Sequence, residues 1–253
     1  MTCNALEWQV SEGGGRIIEA GGTISVNNSD AIRSWQRAAH WIGWISPRSV
    51  TSLQEWDAVN DFYYPGRSAF YRGWALSYLL SVQDIPSIRD RIGITSVPAG
   101  KNAQAATLGG FGLGISRSSR RTTEALQLVR FLVDREIKLQ DARSDDESRN
   151  GLEYDPTAIL RTKQQVSGLV ARPSTVAGEK YEEVSRAYIE ALRSVLLGSN
   201  RAPEAAASLE QKLVRITGFK PGPPSRNRAP KEKSVGTVSG SRTAAGSTGA
   251  SPH

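Results

Sequence analysis

Apolar residues recur at helical spacing in four stretches of the chain. In the first, Ile32, Trp35, Ala39 and Ile42 form one stripe. Capping residues and glycines fit the ends of these stretches. The predicted helices run from Asn28 or Ser29 to before Ser46-Pro47, from Thr122 or Thr123 onward, from Tyr181 to Leu197 with Gly198 as its cap, and from Pro203 to near Gly218.

Shorter segments between these helices have an extended pattern. Ser68–Arg72 reads as a strand that leads into a helix beginning at Trp74. Ile92–Val97 and the glycine-softened run Thr107–Ser116 are further extended segments. The highly charged residues 141–153 are predicted to form a loop. Alternating helices and short strands indicate an α/β layered fold.

The composition limits the kind of protein. The 253 residues are 38% hydrophobic, which is enough to bury one or two cores. No run of 18 apolar residues occurs, and the first ten residues lack the features of a signal peptide. On its own the chain is therefore expected to stay in the cytoplasm if it is expressed as given. The single cysteine, Cys3, excludes an internal disulfide and is expected to be buried or half-buried.

The positive charge is concentrated at the C-terminus. The formal net charge is +7, and residues 220–253 hold six basic residues against the single acid Glu232. Residues 1–219 are therefore near neutrality and show no general basic footprint. A segment rich in Pro, Gly, Ser and Lys cannot bury enough apolar surface to fold, so 220–253 are predicted to be a disordered basic tail.

All six tryptophans lie in the first 74 residues. Trp35 falls on a helical stripe, and Trp41 and Trp56 are also expected in the core. Trp8 follows Glu7 and precedes Ser11-Glu12-Gly13-Gly14-Gly15, so either a ligand-facing loop or a flexible turn with a packed indole fits it. Trp74 follows Gly73 at a strand-to-helix junction, where α/β proteins place ligands.

Catalytic constellations are missing. The two histidines, His40 and His253, and the single cysteine cannot form a transition-metal cluster, so neither a metal nor a cofactor is expected. The glycines between 109 and 114 contain no complete dinucleotide fingerprint. Glu7 and Glu12 fit either a glycosidase carboxylate pair or acceptors for sugar hydroxyls.

Several motifs occur in a recognisable order. FYYPGRSAFYRGWALSYLL, residues 62–80, is similar to an F-x-x-G-x-A-A-M segment followed by a G-x-W helix start. GITSVPAG, residues 93–100, is similar to a strand ending in L-P-x-G, and ATLGGFGL, residues 106–113, to a segment that crosses between lobes. With ARPST at 171–175, this order resembles the C-terminal portion of family 1 extracellular solute-binding proteins, in the maltose- and trehalose-binding branch.

The resemblance covers about residues 3–219 and implies a fold. That fold is the periplasmic-binding-protein-like II clamp, with two lobes, of which the N-terminal part would be missing. Residues 1–106 would form a segment of the C-terminal lobe, and 107–158 would return to the N-terminal lobe. Residues 159–219 would supply the closing helices of the C-terminal lobe, followed by the tail at 220–253.

The resemblance also implies a function. A solute-binding protein of this kind is not an enzyme and needs no cofactor. It binds a di- or oligosaccharide such as trehalose or maltose and delivers it to ABC permease subunits, in the periplasm or outside the cell. An upstream chain would supply the missing lobe. The implied ligand-binding residues are Trp74, Glu7, Trp8, Gly110, Phe111, Arg172 and Tyr181.

Two other functions stay open at this point. One is a glycoside hydrolase that uses Glu7 and Glu12. The other is a nucleic-acid-associated protein that acts through the basic tail, although no specific nucleic-acid recognition is expected.

Overall fold

The computed structural model describes residues 1–53, 55–63, 65–74, 95–109, 112–146 and 168–225. The predicted helix beyond Trp74 and the candidate residues Gly110 and Phe111 lie outside these ranges.

The described elements are mostly helices with short strands between them. The helices are α1 (Thr2–Ser11), α2 (Ser29–Trp41), α3 (Glu55–Ala58), α4 (Thr122–Asp146), α5 (Ser174–Ala177), α6 (Tyr181–Leu196) and α7 (Ala202–Thr217). Short 3-10 turns cover Arg48–Thr51 and Gly178–Lys180, and a π-helical turn, Val59–Tyr63, continues α3. The strands are β1 (Thr23–Ile24), β2 (Ala106–Thr107), β3 (Leu169–Val170) and β4 (Lys220–Pro221).

Local signals in the sequence set the helix ends. The side chain of Asn28 accepts hydrogen bonds from the backbone N–H groups of Asp30 and Ala31, both at 3.0 Å, and so caps α2 as predicted. Gly218 ends α7 with φ 75°, a left-handed conformation that glycine adopts without strain. The predicted helices over α2, α6 and α7 are confirmed.

One hydrophobic core joins α1, α2, α6 and α7, with α6 packed along α7 and both packed on α2. Trp35 of α2 is fully buried, which confirms its predicted place in the core, and its ring meets Tyr188 of α6 edge-on with centroids 5.7 Å apart. The largest fully buried side chains are Trp35, Tyr188, Leu6, Ile17, Ile18, Ile24, Leu192, Leu209 and Leu213.

The strands form two parallel pairs. β1 pairs with β4, with Thr23 opposite Lys220. β2 pairs with β3, with Thr107 opposite Val170. Each pair joins segments that are far apart in the chain, as crossover connections require. Helices packed around parallel strands confirm the α/β class.

Three predictions about elements were wrong. Ser68–Arg72 form no strand; residues 67–74 are irregular, and Phe70 is 92% exposed, so nothing covers it as a sheet neighbour would. Residues 141–146 were predicted to be a loop but continue α4. The tail was predicted to be disordered from residue 220, yet Lys220 and Pro221 form β4 and the chain is described as far as 225.

Helix α4 exposes apolar side chains. Those with the largest exposure on its first half are Leu126, Leu128, Phe131, Leu132 and Val133. None of the described helices or strands makes an extended contact with α4. Such a surface normally lies against other polypeptide. Within the described part of the chain, no helix combines the length and apolar character that crossing a membrane requires.

Candidate sugar-binding site

The carboxylate of Glu7 is buried inside a small polar cluster. Glu7 lies on α1, and the residue is 2% exposed. Arg72 donates from Nε to Oε2 at 3.0 Å and from Nη2 to Oε1 at 2.5 Å, and the backbone N–H of Thr107 donates to Oε1 at 2.8 Å. A buried charge is tolerated when a counter-charge and hydrogen bonds compensate it, and these three donors do so.

The same arginine contacts Trp74. The guanidinium carbon of Arg72 lies over the indole ring, 4.8 Å from its centroid. Gly109 abuts the ring as well, since a Cβ added there would lie 2.5 Å from the indole Cζ3. Trp74 is half-buried. It is therefore not sealed inside the core, and the groups around it fix the position of its ring.

Arg172 lies at the same end of the strand pair. Thr107 and Val170 are paired, and Leu108 donates its N–H to Val170 O at 2.8 Å, so the parallel pairing runs up to this point. Gly109 and Arg172 each follow the paired residues by two positions, and Arg172 is exposed. The carboxyl ends of parallel strands are where α/β proteins bind ligands.

Trp8 lies on α1, and the three glycines after α1 form a packed turn. The indole of Trp8 is half-buried and packs against the core. Gly14 passes so close to α2 that a Cβ would lie 2.6 Å from Ala31 N. Gln9 Nε2 donates to the carbonyls of Gly14, Gly15 and Arg16 at 3.3, 3.1 and 3.1 Å. The glycine-rich segment therefore packs closely against the chain's own helix α2.

Glu12 is the second buried carboxylate. It pairs with Arg37 and lies 4.0 Å from Arg33 Nε. Burial raises the pKa of Glu12. The hydrogen bond and charge of Arg37, the N–H of Lys101 and the charge of Arg33 outweigh this effect, so the pKa lies below its ordinary value. Both carboxylates of the glycosidase alternative are thus paired with arginine side chains.

The remaining candidates are spread more widely. Tyr181 begins α6 and lines a shallow depression along that helix with Ser185 and Ile189. Cys3 is half-buried as predicted, and its carbonyl accepts a hydrogen bond from Thr107 Oγ1 at 2.9 Å. Among the described residues, no group of His, Cys, Asp and Glu is arranged to hold a metal ion.

Sequence reasoning missed three members of the Trp74 cluster: Arg72, Thr107 and Gly109. The only signal for Arg72 was its place in the Arg-Gly-Trp motif. Thr107 acts through its backbone N–H, which no sequence pattern identifies. The partners of Glu7 lie 65 and 100 residues away in the chain, beyond the reach of local spacing.

Comparisons with known proteins define the class. No family model matches the chain. A Deinococcus radiodurans protein named "Probable ABC transporter-binding protein" is 36% identical over 227 residues, which span 86% of this chain and 54% of that protein. The chain thus spans about half the length of this relative.

Solved structures agree on the fold. Maltose-bound MalE3 of T. maritima matches with a TM-score of 0.67 at 23% identity, over 85% of this chain and 57% of the other. A Listeria monocytogenes ABC substrate-binding protein in complex with cycloalternan matches with a TM-score of 0.64 at 17% identity, over 86% and 57%.

The chain therefore has part of the fold of the periplasmic binding proteins. The chain is similar to a protein named as a binding protein of an ABC transporter and shares part of its fold with two sugar-bound binding proteins, which confirms the resemblance drawn from its motifs. The names of these proteins describe binding proteins and not hydrolases, which agrees with the expectation of a binding module.

Proposed function

We propose that this chain forms part of the sugar-binding component of an ABC importer and that its ligand is a di- or oligosaccharide such as maltose or trehalose. The observation that carries the proposal is the half-buried indole of Trp74, fixed against Arg72 and Gly109 where a parallel strand pair ends. Sugar rings present C–H groups on their faces, and binding pockets meet such faces with aromatic side chains.

The polar edge of the sugar needs donors beside the ring. Arg172 is exposed at the same end of the strands, and a guanidinium can donate two parallel hydrogen bonds to neighbouring oxygens. Trp8, Tyr181, Gly110 and Phe111 are further candidates for the walls of the cleft. The maltose and the cycloalternan held by the two matched structures support carbohydrate as the ligand class.

The proposed cellular location is the one expected for a solute-binding protein of an ABC transporter. A solute-binding protein works outside the cytoplasmic membrane, in the periplasm or at the cell surface, and hands its sugar to permease subunits. The chain spans about half of its relative's length, so it supplies only part of a closed cleft. We therefore expect the chain alone to bind weakly, with a Kd of about 1 mM, equivalent to about 4 kcal/mol.

An NMR titration of the isotope-labelled chain with maltose and with trehalose tests this. We expect saturable shifts for at least one sugar, and binding that is clearly weaker but still measurable in Trp74→Ala. Trp44→Ala is the matched control, because Trp44 is 74% exposed on the turn after α2, and it should bind normally. Absence of saturable shifts up to about 20 mM of either sugar, or equal binding by Trp74→Ala, would contradict the proposal.

A further inference from the structure

The role of Glu7 differs from that of a residue that touches ligand. Arg72 and Thr107 occupy its two carboxylate oxygens at 2.5 to 3.0 Å, and its residue is 2% exposed. A sugar hydroxyl that approaches from solvent has no route to these oxygens. What Glu7 does contact directly is the backbone of one segment and the side chain of another.

Two hydrogen bonds to one carboxylate fix the plane of the Arg72 guanidinium. The donors are Nε and Nη2, which lie on one edge of this rigid planar group. The face of the same group lies over the indole of Trp74. Because the guanidinium cannot rotate without breaking a bond to Glu7, its orientation is passed to the ring.

The strand side of the cluster adds a second constraint. Thr107 is tied to α1 twice, by its N–H to Glu7 and by its hydroxyl to the carbonyl of Cys3 at 2.9 Å. Two residues further on, Gly109 abuts the indole. The Glu7 carboxylate thus holds Arg72, which contacts the Trp74 ring. It also holds the segment at Thr107 that leads to Gly109, the second neighbour of the ring.

We infer that Glu7 is a positioning residue, which orients the Trp74 ring for the sugar through Arg72 and Thr107 rather than by contact with the sugar itself. The inference rests on the proposed function for the nature of the ligand. The orientation of the ring is a property of the chain alone and can be measured without sugar.

The first arm of the test is fluorine NMR of the chain labelled with 5-fluorotryptophan, with the Trp74 resonance assigned through Trp74→Phe. Glu7→Gln and the milder Arg72→Lys should shift or broaden this resonance. Glu12→Gln is the matched control, because it removes a second buried carboxylate that pairs with arginine elsewhere. An unchanged Trp74 resonance in both Glu7→Gln and Arg72→Lys overturns the inference.

The second arm is a double-mutant cycle on sugar affinity. Glu7→Gln should weaken binding of maltose or trehalose by about fivefold in the native background and have no further effect in Trp74→Ala, since it acts through that ring. An equal loss in both backgrounds means that Glu7 acts independently of Trp74 and refutes the inference. If the native chain binds neither sugar, the proposed function fails while the first arm still decides the positioning role.

Discussion

The buried amide of Gln9 offers the sharpest test of how the turn after α1 is held. Gln9 is fully buried, its Nε2 donates to three backbone carbonyls, and its Oε1 accepts from Tyr188 Oη at 3.0 Å. Gln9→Met keeps the length of the side chain and removes all four bonds. Gly14 O and Arg16 O keep other donors, Asn28 Nδ2 at 2.9 Å and Ser25 Oγ at 2.8 Å.

The other two groups, the carbonyl of Gly15 and the hydroxyl of Tyr188, lose the hydrogen bond that Gln9 supplied and have no such replacement in the described part of the chain. Each unsatisfied buried group costs about 1 to 3 kcal/mol, so Gln9→Met should lower the free energy of unfolding by about 2 to 6 kcal/mol. Urea unfolding followed by circular dichroism measures this. Gln36→Met, on the exposed side of α2, is the control and should change stability by less than about 0.5 kcal/mol. A Gln9→Met loss no larger than that of the control would refute the reasoning.

Three further outcomes are expected. Gly109→Ala should weaken sugar binding by displacing the indole, while Gly112→Ala, with no heavy atom within 4 Å of its added Cβ, should not; equal affinities in the titration would contradict this. Because the pKa of Glu12 is lowered, its ion pairs stabilise the fold above pH 4.5 and are lost as pH falls through that lowered pKa. Glu12→Gln should therefore reduce the free energy of unfolding at pH 7 but hardly at about pH 2, and a constant difference would count against it. Phe131→Lys should reduce self-association in analytical ultracentrifugation more than Gln127→Lys, which adds the same charge without removing an exposed apolar ring.

Helices with one apolar stripe were predictable from the sequence. On α6 the buried side chains include Val184, Tyr188, Leu192 and Val195, spaced three or four apart, and Gly198 follows with φ 72°. Helix α1 escaped prediction because it is buried on several sides. Its buried residues include the polar Glu7 and Gln9 beside Leu6, so no single polar face marks the helical period.

The candidate site was predictable only in part. Trp74 stood out because an indole at an Arg-Gly-Trp junction fits a ligand position in an α/β fold. Its neighbours come from α1 and from the segment after β2, and tertiary folding alone brings these together. The predicted strand at Ser68–Arg72 failed for a related reason. Arg72 is held by the distant carboxylate of Glu7, and the chain there follows this contact instead of a ladder of backbone hydrogen bonds.

Hydroxyl-radical footprinting by mass spectrometry, with and without saturating sugar, tests the central claim most directly because it reads each tryptophan separately. If the Trp74 ring is the surface on which a carbohydrate stacks, its oxidation should fall when maltose or trehalose is added, while that of the exposed Trp44 stays constant. Oxidation of Trp74 that is unchanged by sugar, alongside protection at a distant part of the chain, would contradict the account.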